Sequence, residues 1–230
     1  MKFFCASIVA LATSFIAAQS SQSPIDLQSY SVPVANTRNI STIYAQDKGN
    51  ATHVGDTIKV YWGGGNDAYM KLNGNSYKPK QFHFHAPSEH RVNGKQYPFE
   101  MHIVHQDAQG KLAVLGVIFD QADQPSTFLE QVWREIGPLN HEGDSAIVPS
   151  VDPSSLKIED SQYYRYPGSL TTPPFAEGVE WIVLQAIQPI SAKQVAAYRA
   201  KFPEDSSREP QALNGRKITL FQAQKGKPSC

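Results

Sequence analysis

QFHFHAPSEH (Gln81 to His90), followed by FEMH (Phe99 to His102), is the stretch on which the reading of this chain turns. Side chains on a strand alternate between faces, so His83 and His85 point the same way. There they can converge on one ion, and His102 on a neighbouring strand would supply a third nitrogen. Three neutral nitrogens leave one position of a tetrahedral zinc open, which distinguishes catalytic from structural zinc. A bare H-x-H would fit a half-buried strand with polar residues facing out. The context decides between the two. Gln81 lies two residues before His83 and Glu100 two before His102, each on the face of its histidine. Metal-bound histidines pass their second N–H to such acceptors.

Around this stretch, short β-like runs recur at Thr57–Trp62, Tyr77–Ala86, Phe99–His105, Leu112–Phe119, Val179–Gln188 and Lys217–Gln222, punctuated by Gly and Pro. Gly63-Gly64-Gly65 reads as a turn, since it lacks the Lys-Ser/Thr of a phosphate loop. Two helices are expected, Ser126 to Ile136 stopped by Gly137, and Ser191 to Phe202 stopped by Pro203. The fold class is therefore mostly β with minor helices, in a single domain.

The first 18 residues carry Lys2, an apolar run and then small residues, the pattern of a secretory signal peptide. The run is too short for a membrane span, and no later segment is apolar enough to insert stably. Residues 19–230 suit one domain, and a hydrophobic content of 40% can support its core. Lys plus Arg equals Asp plus Glu at 21 each, which gives no basic patch for nucleic acid. Secretion by a eukaryote would make Asn39 and Asn50 glycosylation acceptors, in Asn-Ile-Ser and Asn-Ala-Thr.

QSPIDL (Gln22 to Leu27), QFHFHAPSEH, EMHIVH (Glu100 to His105), LAVLG (Leu112 to Gly116), YPGSLTTPP (Tyr166 to Pro174) and VEWIVL (Val179 to Leu184) together resemble the α-class carbonic anhydrases. The resemblance runs in order from Gln22 to about Phe221. It implies a central twisted, mainly antiparallel sheet, a Zn2+ ion on His83, His85 and His102, and reversible hydration of carbon dioxide to bicarbonate and a proton. Zinc is a Lewis acid that makes a bound water available as hydroxide near neutral pH. The resemblance further implies that Thr171 accepts a hydrogen bond from that hydroxide and donates to Glu89. A carboxylate only accepts, so Glu89 would fix the direction of the threonine proton. Val104, Val114, Leu170 and Trp181 match the family's apolar wall for carbon dioxide, which residues alone would assign to the core. Thr172 matches a second threonine at the substrate.

The chain departs from the family pattern in three places. The expected leader runs almost directly into QSPIDL, without the segment that usually covers the rim and part of the core. Marginal stability and self-association into a homo-oligomer through the uncovered patch are the expectation. The cysteine pair usual in secreted members is missing, since only Cys5 and Cys230 occur. Asp56, in Val54-Gly55-Asp56, stands where many members carry a proton-shuttling histidine, and His53 is three residues earlier. Two other functions would leave different marks in the sequence. A zinc peptidase would want H-E-x-x-H, which the chain lacks. A carbonic anhydrase-like binding protein with weak catalysis would be expected to have a broken histidine triad, and this triad is whole.

Overall fold

Alternation along the central strands separates a large core from the face that carries the site. The computed structural model describes residues 20–29, 32–35 and 40–222. The expected leader, both cysteines and Asn39 lie outside them. Ten of the described strands form the main path of one 13-stranded sheet: β1 (Val34–Ala35), β2 (Asp47–His53), β3 (Ile58–Trp62), β4 (Asn75–His85), β5 (Phe99–Gln106), β6 (Leu112–Gln121), β7 (Ser145–Val151), β8 (Tyr163–Ser169), β9 (Glu177–Leu184) and β10 (Thr219–Phe221). Their order across the sheet is β7-β2-β3-β4-β5-β6-β9-β8-β10-β1. Pairing is antiparallel except at β6–β9 and β10–β1, which are parallel.

On β4, β5, β6 and β9 one set of residues, including Phe82, Phe84, Met101, Ile103, Leu115, Val117 and Ile182, enters the larger core. The alternate set packs Val114, Ile118, Val179, Trp181 and Val183 into a second cluster. Helix α1 (Thr127–Ile136) caps the larger core, burying Phe128, Leu129, Val132 and Ile136. Ser126 is its N-cap, its side chain accepting from Leu129 N at 3.3 Å. Helix α2 (Ala192–Lys201) opens with a capping box between Ser191 and Gln194.

Both helices stand where the sequence places them. Five of the six expected strands are present within a few residues of their expected ends. The sixth, Val179–Gln188, is broken: β9 ends at Leu184, and a short strand, Gln188–Ile190, pairs separately with β6. Gln185 N turns away to donate to Gln162 O at 2.9 Å. Three long strands escaped the sequence reading. β2 is polar and contains Gly49, yet a Cβ there would meet Val60 Cγ1 at 2.8 Å and Val151 Cγ2 at 3.1 Å, so the strand is crowded on that side. β7 was unmarked by any clear alternation. β8 carries Pro167 and Gly168, which read as turn residues. Along β8, β10 reaches only Tyr163 to Arg165, so beyond that point this side of β8 is an edge and Pro167 forfeits no ladder bond. Gly64 and Gly65 have φ of 71° and 92°, consistent with the expected turn.

Candidate active site

The register of β4, β5 and β6 builds two parallel rows on the face opposite the larger core. His83 pairs with His102, and His102 with Gly116. The next row runs Gln81–Val104–Val114–Trp181. Glu100 pairs with His85 across the same strands. A polar row thus lies beside a largely apolar one, as period-two alternation requires.

Each histidine is held by one nitrogen. His83 Nδ1 lies 2.9 Å from Gln81 Oε1, His85 Nδ1 2.9 Å from the carbonyl oxygen of Ser206, and His102 Nε2 2.9 Å from Glu100 Oε1. All three partners accept and cannot donate, so those nitrogens carry the protons. Nε2 of His83, Nε2 of His85 and Nδ1 of His102 are left bare. One ring nitrogen from each histidine falls within 4.8 Å of the others. His85 Nε2 is fully buried with no hydrogen-bond partner. Burial, then the neighbouring histidine rings, hold His83 well below its usual pKa, and burial lowers His102. Neutral rings with converging lone pairs suit Zn2+, which takes imidazole in its deprotonated form.

Glu100 anchors this arrangement and is 0% exposed. Its Oε2 accepts from Glu89 N at 2.9 Å and His90 N at 2.8 Å, while Oε1 faces His90 Nδ1 at 2.7 Å and His102 Nε2. Burial alone would raise its pKa, but the electrostatic pull and hydrogen bonds of the His90 and His102 rings outweigh it and hold the carboxyl well below the usual range. Gly116 makes room for this carboxylate, since a Cβ there would stand 3.1 Å from Oε1. Behind it, His90 Nε2 meets the Tyr166 hydroxyl at 2.7 Å, and that hydroxyl meets Ser23 Oγ at 3.0 Å. Gly168 lets the Ser23 segment approach: a Cβ there would lie 2.1 Å from Ser23 Oγ and 2.8 Å from Trp181 Cδ1.

A cleft of about 220 Å³ opens over the rows, lined by Asp56, Thr57, Lys59, Gln81, the three histidines, Val104, Val114, Leu170, Thr171, Thr172 and Trp181. Every residue expected to bind metal or substrate lines it. Trp181 Nε1 donates to Ser169 O at 2.9 Å, which leaves the ring apolar toward the cleft and ties down the segment leading to Thr171. Asp56 lies exposed on the cleft, whereas His53 does not line it; its Nδ1 accepts from Gly55 N at 3.1 Å and its ring packs on Phe202.

One expected contact is not formed. Glu89 Oε1 accepts from Arg208 N at 2.9 Å, but Oε2 is fully buried without a hydrogen-bond partner, so Thr171 does not donate to it here. Oε2 lies 3.6 Å from His85 Nε2 and 3.8 Å from His102 Nδ1 instead. The sequence reading also missed the loop that supplies Ser206 and Arg208. Arg208 stacks over Phe175 at 3.9 Å and donates to Gln22 Oε1 and Ser23 O, joining the start of the described chain to the turn after Thr172. Ser206 acts through its backbone carbonyl, which no residue type announces.

Residues 12–222 match the model of the eukaryotic-type carbonic anhydrases. The chain belongs to that family. A carbonic anhydrase of Klebsiella pneumoniae is 38% identical over 196 residues, spanning 85% of this chain and 73% of that protein. The α-carbonic anhydrase of Thermovibrio ammonificans, solved with the inhibitor sulfanilamide, is 42% identical with a TM-score of 0.79, and the match covers 86% of each chain. Dioscorin, solved with ascorbate, is 30% identical with a TM-score of 0.82, covering 90% of this chain and 87% of that one. The carbonic anhydrase relatives make this chain an enzyme of that family, and its sheet is theirs.

Proposed function

We propose that the chain hydrates carbon dioxide reversibly to bicarbonate and a proton, with Zn2+ held by His83, His85 and His102. The observation that carries the reading is the convergence of three bare ring nitrogens, each on a ring whose other nitrogen is held by an acceptor. Zinc, when bound, supplies a Lewis acid that makes water nucleophilic at neutral pH. The chain supplies the rest. Val104, Val114, Leu170 and Trp181 give carbon dioxide an apolar wall next to the histidines, and Thr172 borders it. Thr171 orients the attacking oxygen by accepting its hydrogen bond. The orphaned Glu89 Oε2 is the acceptor available for the Thr171 proton, and taking it up would satisfy a buried carboxylate oxygen that is costly to leave unpaired. Gln81 and Glu100 orient two of the rings.

Thr171→Ala tests this. The variant should keep its zinc and lose about 10²–10³ in hydration rate, the usual effect of deleting one preorganised transition-state hydrogen bond. An unchanged rate would remove Thr171 from the mechanism. The likeness to dioscorin shows that the fold also serves a protein solved with ascorbate. A weakly catalytic binding role would leave the triad without a task, so catalysis is preferred. The apolar N-terminal run supports secretion, in which case Asn50, exposed on β2, would be open to glycosylation.

A further inference from the structure

Lys59 and Gln81 line the cleft, and neither the lysine nor the amide nitrogen of Gln81 has a part in the mechanism above. β3 pairs with β4 at Val60–Phe82 and Tyr61–Gln81. Lys59, two residues before Tyr61, therefore shares the face of Gln81 and His83. Its side chain is half-buried, and neither an ion pair nor a hydrogen bond joins its ammonium to any described residue. Gln81 commits Oε1 to His83 Nδ1, so its NH2 group is turned away from the ring, and it too has no partner among the described residues. Asp56 lines the same cleft, exposed, and makes no ion pair with Lys59. The cleft thus has two unlike sides. Val104, Val114, Leu170 and Trp181 offer nothing but apolar surface, while Lys59 and Gln81 offer N–H donors and a full positive charge.

We propose that Lys59 and the Gln81 amide form an anion-holding wall of the cleft, which binds bicarbonate and admits other small inorganic anions to the same place. The inference rests on the function proposed above and names a group that, beside the metal, favours the charged one of its two carbon species. Carbon dioxide is neutral and gains nothing from an ammonium. Bicarbonate carries a full charge and three oxygens, and a cation within a low-dielectric cleft attracts it more strongly than one in open water. A lysine suits this task as a compact charge with three rotatable donors.

The test uses zinc-loaded wild-type protein beside Lys59→Gln and Lys59→Arg, with metal content measured first. Thiocyanate affinity is read by calorimetry, and the KM for bicarbonate by stopped-flow dehydration. Lys59→Gln should weaken both by about three- to tenfold, the Coulomb effect of one partly screened charge across a narrow cleft. Lys59→Arg, which keeps the charge, should stay within about twofold of wild type on the same grounds. The proposal is overturned if Lys59→Gln leaves both constants unchanged, or if Lys59→Arg is as damaging as Lys59→Gln. Wild-type protein without zinc or hydration activity would bring down the function it rests on. The thiocyanate titration, which needs no turnover, would still decide whether the wall holds anions.

Discussion

Glu100→Gln is the perturbation whose consequences the structure specifies most fully. The carboxylate is 0% exposed and takes four donors: Glu89 N and His90 N on one oxygen, His90 Nδ1 and His102 Nε2 on the other. An amide is nearly the same shape, but one of its two ends donates. If the NH2 faces the backbone pair, it meets two N–H groups that cannot turn away. If it faces the rings, His102 must move its proton to Nδ1, the nitrogen aimed at the other two histidines. Two of the four bonds are lost unless both rings shift their protons, and that shift would spoil the metal-facing nitrogen of His102. At about 1.5–3 kcal/mol for each hydrogen bond to a charged group, the loss is about 3–6 kcal/mol. That is a large part of a typical total of about 5–15 kcal/mol. Zinc affinity should fall by about 10–100-fold, as is usual when the partner of a metal-bound histidine is removed. Urea unfolding of the zinc-free protein reads the first effect, and competition with a calibrated chelator reads the second. An unfolding free energy within about 1 kcal/mol of wild type, with unchanged zinc affinity, would refute the claim that Glu100 fixes the site, since the lost bonds must appear somewhere.

Two further outcomes are expected. His105 is fully buried, 2.7 Å from the Tyr44 hydroxyl, and burial pushes its pKa down to about 4. Because the folded value lies below the unfolded one, the unfolded chain binds the extra proton first, and stability should fall as pH drops from about 6.5 toward 4, by about 3 kcal/mol from this group. Urea midpoints across that range measure the slope, and His105→Gln should flatten it; a slope that the substitution leaves intact would rule His105 out as its source. Each hydration releases a proton, and the position expected to pass it on carries a carboxylate, Asp56, where an imidazole would be matched to a donor near neutral pH. Turnover should therefore rise strongly with buffer concentration, and Asp56→His should reduce that dependence; buffer-independent turnover in the starting protein would point to another proton path.

The site was more legible than the frame that holds it, for physical reasons. Side-chain chemistry is written in residue types, so His83, His85, His102, Gln81 and Glu100 could be placed on one face from spacing alone. The strands that carry them are apolar on the core side and announced themselves by alternation. β2 and β8 did not, because their roles depend on neighbours: Gly49 serves a crowded crossing and Pro167 an unpaired edge, and neither condition shows along the chain. The third ring partner was invisible because any residue could present the carbonyl that Ser206 presents. The missing Thr171–Glu89 bond shows the reverse limit. The family resemblance, rather than residue type, paired Thr171 with Glu89, and distance is a property of the fold. The cation opposite the apolar wall was likewise overlooked, since Lys59 on a strand reads as an ordinary solvated residue until the cleft is seen around it.

The most direct test of the account is a zinc titration of the metal-stripped protein, followed by stopped-flow hydration of carbon dioxide. The account predicts no rate above buffer without metal, a linear rise as zinc is added, and a break at one equivalent per chain. A rate indifferent to zinc, or a fully loaded protein that hydrates carbon dioxide no faster than buffer, would contradict it.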